Sequence, residues 1–265
     1  MDLSEADLAA ATAALGPLTR DALLGGRVIL NQPREGYRAA TDPVLMAAAV
    51  PACAGESVLE LGLGAGAASL CLAARVPALS LTGIEIQAGY AALARANAAE
   101  AGVTLEVVEG DVTAMPAALR ARQFDHVMLN PPWHAHGPAS ATEARDRAHR
   151  EQPGDLAAWI AAALARTRPR GRVTLIHRAE RLDAILTALS GPAGQVRVLP
   201  LVPRAGRPAG RVIVTARTQV RSPLVLLAPL VLHHGAAHIR DEDDFSPEAR
   251  AILSEGAPLP LTERP

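Results

Sequence analysis

From residue 57 onward the chain switches between two hydrophobic patterns. Short apolar runs of strand length alternate with longer Ala-rich stretches whose apolar positions recur at helical spacing. "SVLEL" (57–61) predicts a strand, and "GLGAGAASLCLAARV" a glycine-rich turn that opens a helix. "LSLTGIEI" (79–86) is a second strand, followed by a helix that Gly102 stops. "VTLEVVEGD" (103–111) is a third, with a short helix up to about Arg122, and "FDHVMLN" (124–130) a fourth. Asp155 then caps an amphipathic helix through Ala165, and "GRVTLIHR" (171–178) is a fifth strand. Strands that alternate with helices predict an α/β fold, with a parallel sheet covered on both faces.

The flanks read differently. Residues 1–22 predict a short Ala-rich surface helix. Residues 25–50 predict a strand, a polar loop and a helix that starts with Asp42 at the cap and Pro43 at the first helical position. The tail carries strand-like runs at 195–202, 211–220 and 224–232, an antiparallel end of the kind that finishes such a sheet, and Ser246-Pro247 starts a last small helix. There is no internal repeat and no clear linker. The expected organisation is one domain, with residues 1–55 as a leading segment on a core of 56–265.

Composition narrows the class only a little. A hydrophobic share of 49% and a net charge of -1 exclude a uniformly basic nucleic-acid binder. The distribution is more telling. Residues 1–140 hold 8 Arg against 14 acids, whereas residues 141–221 hold 15 Arg against 6, so a net of -6 is followed by one of +9. That asymmetry fits a side that faces a polyanion, or arginines that solvate helix faces. No basic side chain is Lys. Cys53 and Cys71 form no C-x-x-C pair and no disulfide framework, as expected in a reducing cytosol. The N-terminus "MDLSEADLAA" lacks a positive signal-peptide start, and no apolar run is long enough to span a bilayer, so the expected location is cytoplasmic.

Gly62, Gly64 and Gly66 lie between the first core strand and its helix. Glycines there let a backbone approach a ligand closely, with helix N–H groups aimed at it. The stretch also satisfies G-x-G-x-x-A through Ala67, so by itself it does not choose between nucleotide cofactors. Glu85 ends the next strand, where a carboxylate can take both ribose hydroxyls of an adenosine-type cofactor, or simply be an exposed strand-end charge. Asp111 ends the third strand, placed to accept from an adenine amino group. Glu60, just before the turn, could orient the loop or meet a cationic centre.

The fourth strand runs into Asn130-Pro131-Pro132-Trp133. Neither proline has an N–H, so the turn presents acceptors: the Asn130 side-chain oxygen and the Pro131 carbonyl. A planar amino group carries two hydrogens that fit two such acceptors. Holding both bends the nitrogen toward tetrahedral geometry and aims its lone pair at an electrophile. The acceptors also stabilise the positive charge that develops as a methyl group arrives. The Trp133 indole can stack on the base that bears the amino group. Asn before Pro is also an ordinary turn starter, and a lone Trp an ordinary core anchor. The four together at a strand end, downstream of the glycine turn, are far more specific than any one of them.

In this order and spacing, "VLELGLGAGAASLCLAARV", "GIEIQ", "VVEGDV" and "NPPW" resemble the class I S-adenosylmethionine-dependent methyltransferases that act on amino groups. "QPREGYRAATDPVLMAAA" narrows the resemblance to the tRNA-valine adenine N6-methyltransferase group, over roughly residues 25–240. It implies a Rossmann-like, mainly parallel seven-stranded sheet with an antiparallel C-terminal end, and S-adenosylmethionine as cofactor. It implies that Gly62, Leu63, Gly64, Ala65 and Gly66 hold the methionine end, Glu85 the ribose, and Asp111 the adenine. Glu60, Ile86, Val112 and Asn130 are counted with the cofactor site, and Asn130, Pro131, Pro132 and Trp133 hold the target. Arg38, Thr41 and Asp42 match a segment that closes over the cofactor. Trp133 stands where the family more often has Tyr or Phe, which preserves stacking but changes the pocket.

The expected partner is nucleic acid, a tRNA anticodon loop whose bases can be splayed out. Arg145, Arg147 and Arg150, just beyond Trp133, are the candidate phosphate contacts. The same motif also serves enzymes acting on a glutamine amide, on guanine N2 or on DNA adenine. The glutamine reading is disfavoured by the short N-terminal segment. An NAD-type oxidoreductase and a non-catalytic cofactor-binding protein are the remaining alternatives. His134 and His136 have no third ligand at metal spacing, so no metal is expected. "RDEDD" (240–244) reads as a solvated acidic loop, and His177 and Arg178 as the rim or cap of the fifth strand.

Overall fold

The computed structural model describes residues 3–132, 155–235 and 244–261. The chain begins with helix α1 (Leu3–Leu15) and a hairpin of β1 (Leu18–Leu23) and β2 (Val28–Pro33). The expected helix over 1–22 is thus cut at Leu15. Gly16, at φ 82°, donates its N–H to the Thr12 carbonyl, and Pro17 follows, so the helix cannot continue. The Ala-rich composition had masked that stop.

The core then follows as α2 (Thr41–Ala49), β3 (Ser57–Leu61), α3 (Ala67–Arg75), β4 (Ser80–Glu85), α4 (Ala88–Glu100), β5 (Leu105–Glu109), α5 (Ala117–Arg120) and β6 (Phe124–Leu129). After it come α6 (Asp155–Arg166), β7 (Thr167–Arg178), α7 (Leu182–Leu189), β8 (Ala193–Val202), β9 (Arg211–Thr218), β10 (Val225–Leu226), β11 (Leu230–Val231) and α8 (Pro247–Leu253). Helix α7 was not anticipated, and β7 starts four residues before the expected 171. Ser246 caps α8 by accepting from the Ala249 N–H, as its Ser-Pro start predicts.

The large sheet has nine strands among the described residues, not seven, in the order β10-β8-β9-β7-β6-β3-β4-β5, with β11 also on β8. The surplus is β10 and β11, two-residue strands parallel to β8 that replace the single run expected at 224–232. Five strands, β7-β6-β3-β4-β5, are mutually parallel, and β9 lies antiparallel between β7 and β8. The chain winds outward from β3 through β4 to β5, then returns to β6 on the other side of β3. Such a reversal leaves a crevice at the carboxyl ends of the two central strands.

Side-chain alternation along the strands sends apolar residues to both faces, as a sheet covered on both sides requires. Met128 and Ile176 join Leu45, Met46, Leu70 and Leu93 on one face. Val127, Leu129 and Leu175 join Ile160, Phe124 and Leu61 on the other. Helix α1 lies on α4, where Gly89 leaves room: a Cβ there would come within 2.8 Å of the Ala14 methyl.

One buried polar knot ties the hairpin to this core. Asn97, on α4 and fully buried, donates to the carbonyls of Asn31 and Ala65 at 3.0 Å and accepts from the Asn31 backbone and side-chain amides at 2.9 Å. One amide thereby satisfies an edge of β2 and the turn after β3 together. Replacing Asn97 with Ala should leave those groups buried and unpaired, lowering unfolding free energy by about 3 kcal/mol. Urea denaturation checks this.

Candidate active site

β3 and β6 pair in parallel with Leu61 opposite Leu129, so Gly62 and Asn130 leave the sheet side by side. Both line a cleft with Tyr37, Ala39, Pro43, Glu60, Leu63, Ala65, Ala67 and Ala68. The glycine turn and the Asn-Pro-Pro turn, 68 residues apart in the chain, meet because the strand order reverses between them.

The turn needs its glycines. Gly62, Gly64 and Gly66 have φ of 73°, 55° and 87°, a region that side chains with a Cβ rarely enter. At Gly62 a Cβ would also strike the Trp159 indole at 2.7 Å. The Gly62 and Leu63 N–H groups both donate to the Ile84 carbonyl at 3.0 Å, which fastens the turn to β4.

Two acids sit under this turn. Glu85 accepts from the Gly64 N–H at 2.8 Å with one oxygen and from the Gln87 N–H at 2.9 Å with the other. Burial raises its pKa, and these backbone donors pull it back. Glu85 is therefore a brace of the turn, not an exposed charge, and each oxygen keeps acceptor capacity for a ligand hydroxyl. Glu60 takes an inward seat on β3, 4% exposed, and accepts from the Ser69 N–H at 3.0 Å and the Ser69 hydroxyl at 2.5 Å. Burial pushes its carboxyl up to about 8 despite those bonds. Tyr37 reaches the same cleft from the loop after β2, held by the Tyr90 hydroxyl, which donates to its carbonyl at 3.0 Å. Burial, with the charge of Glu60 next, raises its phenol above the ordinary range.

Other expected residues fall nearby in different roles. Asp111 stays at the end of β5 in a local turn, one oxygen accepting from the Thr113 N–H at 2.7 Å and its hydroxyl at 2.8 Å. Ile86 is 64% exposed beside Glu85, whereas Val112 is buried. Arg38 points back into the hairpin, donating to Thr19 at 2.8 Å and the Pro33 carbonyl at 2.7 Å and pairing with Asp21 at 2.7 Å. Asp42 is not the cap of α2. The helix starts at Thr41, and the Asp42 carboxylate accepts from the Arg211 guanidinium on β9. His177 is buried, not on the rim, and burial followed by the charges of Arg181 and Arg178 lowers its pKa to about 4. Asp244 of the acidic stretch is not free in solvent: it pairs with Arg204 and with His233. Trp133, His134, His136, Arg145, Arg147 and Arg150 lie outside the described residues, as do residues 240–243. Among the described residues no cluster of His, Cys, Asp or Glu could hold a metal, Cys53 and Cys71 are free thiols, and no helix is long and apolar enough to cross a membrane.

Tyr37 and Trp159 were not anticipated at the site. Both are aromatic in a chain with six such residues, which was the available signal. Nothing local says that Tyr37 lines the cleft or that Trp159 packs beside Gly62.

Residues 58–152 match the family model described as a methyltransferase domain. A Shewanella halifaxensis protein named tRNA1(Val) (adenine(37)-N6)-methyltransferase is 31% identical over 163 residues, 61% of this chain and 66% of that protein. A Porphyromonas gingivalis protein of the same name is 30% identical over 185 residues, 64% of this chain and 72% of that protein. The chain belongs to the class I S-adenosylmethionine-dependent methyltransferases. Among solved structures, a predicted O-methyltransferase from Agrobacterium tumefaciens is 28% identical, with a TM-score of 0.66, covering 82% of this chain and 97% of that one. A T. thermophilus 16S rRNA N2 G1207 methyltransferase, solved with AdoMet and guanosine, shares the fold at 18% identity and a TM-score of 0.54, over 77% of this chain and 50% of that one.

S-adenosylmethionine is the cofactor of this methyltransferase class. The chain fits it: a turn with no side chains at three left-handed positions, a buried carboxylate at the next strand end, and an exposed apolar side chain beside that carboxylate.

Glu60 sets a pH signature. A carboxyl that titrates at about 8 when folded and 4.5 when unfolded holds its proton more tightly in the folded state. Its contribution to stability is complete below pH 4.5 and is lost as pH rises toward 8. Glu60→Gln should remove that decline, which melting temperatures measured from pH 5 to pH 9 would register.

Proposed function

We propose that this methyltransferase modifies an exocyclic amino group of a nucleobase, adenine N6 in a tRNA anticodon loop. The observation that carries the reading is the shared cleft of Asn130 and the glycine turn. The names of the curated relatives support the same substrate.

The bound cofactor supplies a methyl group on a sulfonium, an electrophile that needs no metal. The chain's own task is to hold the acceptor. In this reading the Asn130 side-chain oxygen and the Pro131 carbonyl accept the two amino hydrogens, which localises the nitrogen lone pair and aims it at the methyl carbon. Trp133, next after Pro132, provides the stacking plane. Neutral acceptors suffice because the amino proton leaves only after the new bond has formed.

On the cofactor side, Gly62, Leu63, Gly64, Ala65 and Gly66 receive the methionine end, Glu85 the ribose hydroxyls, and Asp111 the adenine amino group. Ile86 and Val112 flank the adenine, and the exposed Ile86 side chain gains a cover when the base binds. Glu60 lies where a cationic ligand would favour its ionised form. Residues 1–55 act as a cover over this side of the 56–265 core. Arg38 and Asp42 are positioning residues in that cover, one bracing the hairpin and the other fastening α2, with Thr41 at its first turn, to Arg211. Arg145, Arg147 and Arg150 are assigned to the RNA backbone.

The decisive assay is radiolabelled methyl transfer to total tRNA, rRNA and protein fractions, followed by nucleoside analysis. N6-methyladenosine in tRNA is the expected product. N2-methylguanosine, an O-methylated nucleoside or label in protein would replace the reading. Asn130→Ala should lower turnover by about 10²- to 10³-fold, as loss of one oriented hydrogen-bonding group does elsewhere. Its cofactor affinity by calorimetry should stay within a factor of two or so, because the lost acceptor touches the target only. A parallel loss of both would reassign Asn130 to the cofactor.

A further inference from the structure

The mechanism leaves unused the end of the sheet opposite the cleft. There Arg172 on β7 is directly opposite Arg217 on β9 in the antiparallel register. Arg197 on β8 opposes Thr215, two residues before Arg217 and on the same face. All three side chains are only partly exposed. Directly opposed residues hold their Cβ atoms about 5 Å apart, and like charges there destabilise a sheet.

Among the described residues no carboxylate pairs with any of the three. The Arg217 Nε donates to the Arg170 carbonyl at 3.0 Å, and Arg197 donates to the Leu261 carbonyl, while its own Nε is buried without a partner. The nearby acids are engaged elsewhere: Asp125 with Arg168 at 2.6 Å and with Ser57, and Glu56 with His126 at 2.9 Å. Burial and then the charges of Arg217 and Arg197 lower the Arg172 pKa, so the guanidiniums sense one another. Arg170, exposed on the same strand, adds a fourth cation.

We infer that Arg172, Arg197 and Arg217 form a phosphate-binding site that holds the backbone of the RNA substrate away from the transfer site. Guanidinium forks match phosphate oxygens two at a time, and a shared anion offsets the repulsion that the register imposes. Arg172 pairs with His126, four residues before Asn130, so the site lies about 13 Å along the strand from the Asn130 level at ~3.3 Å per residue. A stem or loop whose base occupies the cleft spans that separation. The assignment of RNA as the phosphate source rests on the reading in the preceding subsection.

The test compares the wild-type chain with Arg217→Gln and with the double variant Arg172→Gln/Arg217→Gln, none of which alters the cleft. Relief of like-charge repulsion should leave the melting temperature in low salt unchanged or raised. A fall would overturn the claim of an uncompensated cluster. Against an unmethylated tRNA transcript, each neutralised arginine should reduce the slope of log affinity with log salt by roughly 0.7 to 0.9. KM for RNA should rise several-fold with kcat and cofactor affinity unchanged. An unaltered slope in the double variant overturns the RNA contact.

Inorganic phosphate is the second probe. It should raise the wild-type melting temperature more than that of the double variant. Should phosphate discriminate between the proteins while tRNA does not, the site takes free anions and the RNA assignment falls. Should wild type bind no RNA at all, the tRNA reading falls instead, and the phosphate arm alone decides the site: an equal response in both proteins ends it.

Discussion

The parallel pairing of β3 with β6 is the constraint on which the site depends. Its register sets Leu61 against Leu129, and the residues that follow on each strand leave the sheet together. Because the chain winds away from β3 in one direction and returns in the other, a crevice opens between those two ends. A shift of one residue in that pairing would invert the faces of β6, carrying Asn130 and Met128 to the side that Leu129 occupies and Leu129 to theirs. The apolar alternation of Val127, Met128 and Leu129 between two separate cores opposes such a slip.

Around that crevice the fold carries two carboxylates that burial alone would not favour. Glu85 is compensated by backbone N–H groups that the turn must dispose of in any case. Among the described residues Glu60 is compensated only by Ser69, and its raised pKa records the shortfall. A buried acid with incomplete compensation is a cost to folding, of the sort found where a ligand of opposite charge restores the balance. The sulfonium cofactor of this enzyme class is such a ligand. The loop after the hairpin lines the same cleft through Tyr37 and Ala39, and this part of the chain is anchored through Asn97, Arg38 and the Asp42–Arg211 pair. Stability of the hairpin and geometry of the turn are thereby coupled, since Asn97 bonds to both.

The charge asymmetry of the chain acquires a location in three dimensions. Several of the arginines between 141 and 221 are consumed by structure: Arg168 by Asp125, Arg204 by Asp244, Arg211 by Asp42. What distinguishes Arg172, Arg197 and Arg217 is convergence without an acid among the described residues. A net count along the sequence cannot separate these two populations, because screening and pairing depend on distance in space.

The order of strands and helices from Ser57 to Leu129 was readable directly, since the period of apolar positions and the glycine and proline stops are local properties. So was the form of the turn at Gly62, Gly64 and Gly66, whose left-handed φ values are those that glycine adopts without strain. Other features depended on contacts with distant parts of the chain. The strand at Leu18–Leu23 exists because β2 pairs with it, against an Ala-rich background that favours helix. Asp42 looked like a cap by its neighbours and became the partner of Arg211, 169 residues away. The convergence of Tyr37 and Trp159 on the glycine turn, and of three arginines at the far end of the sheet, follows from strand order and register. Those are decided by how two faces of one sheet are buried at once, a requirement that no short window of sequence contains.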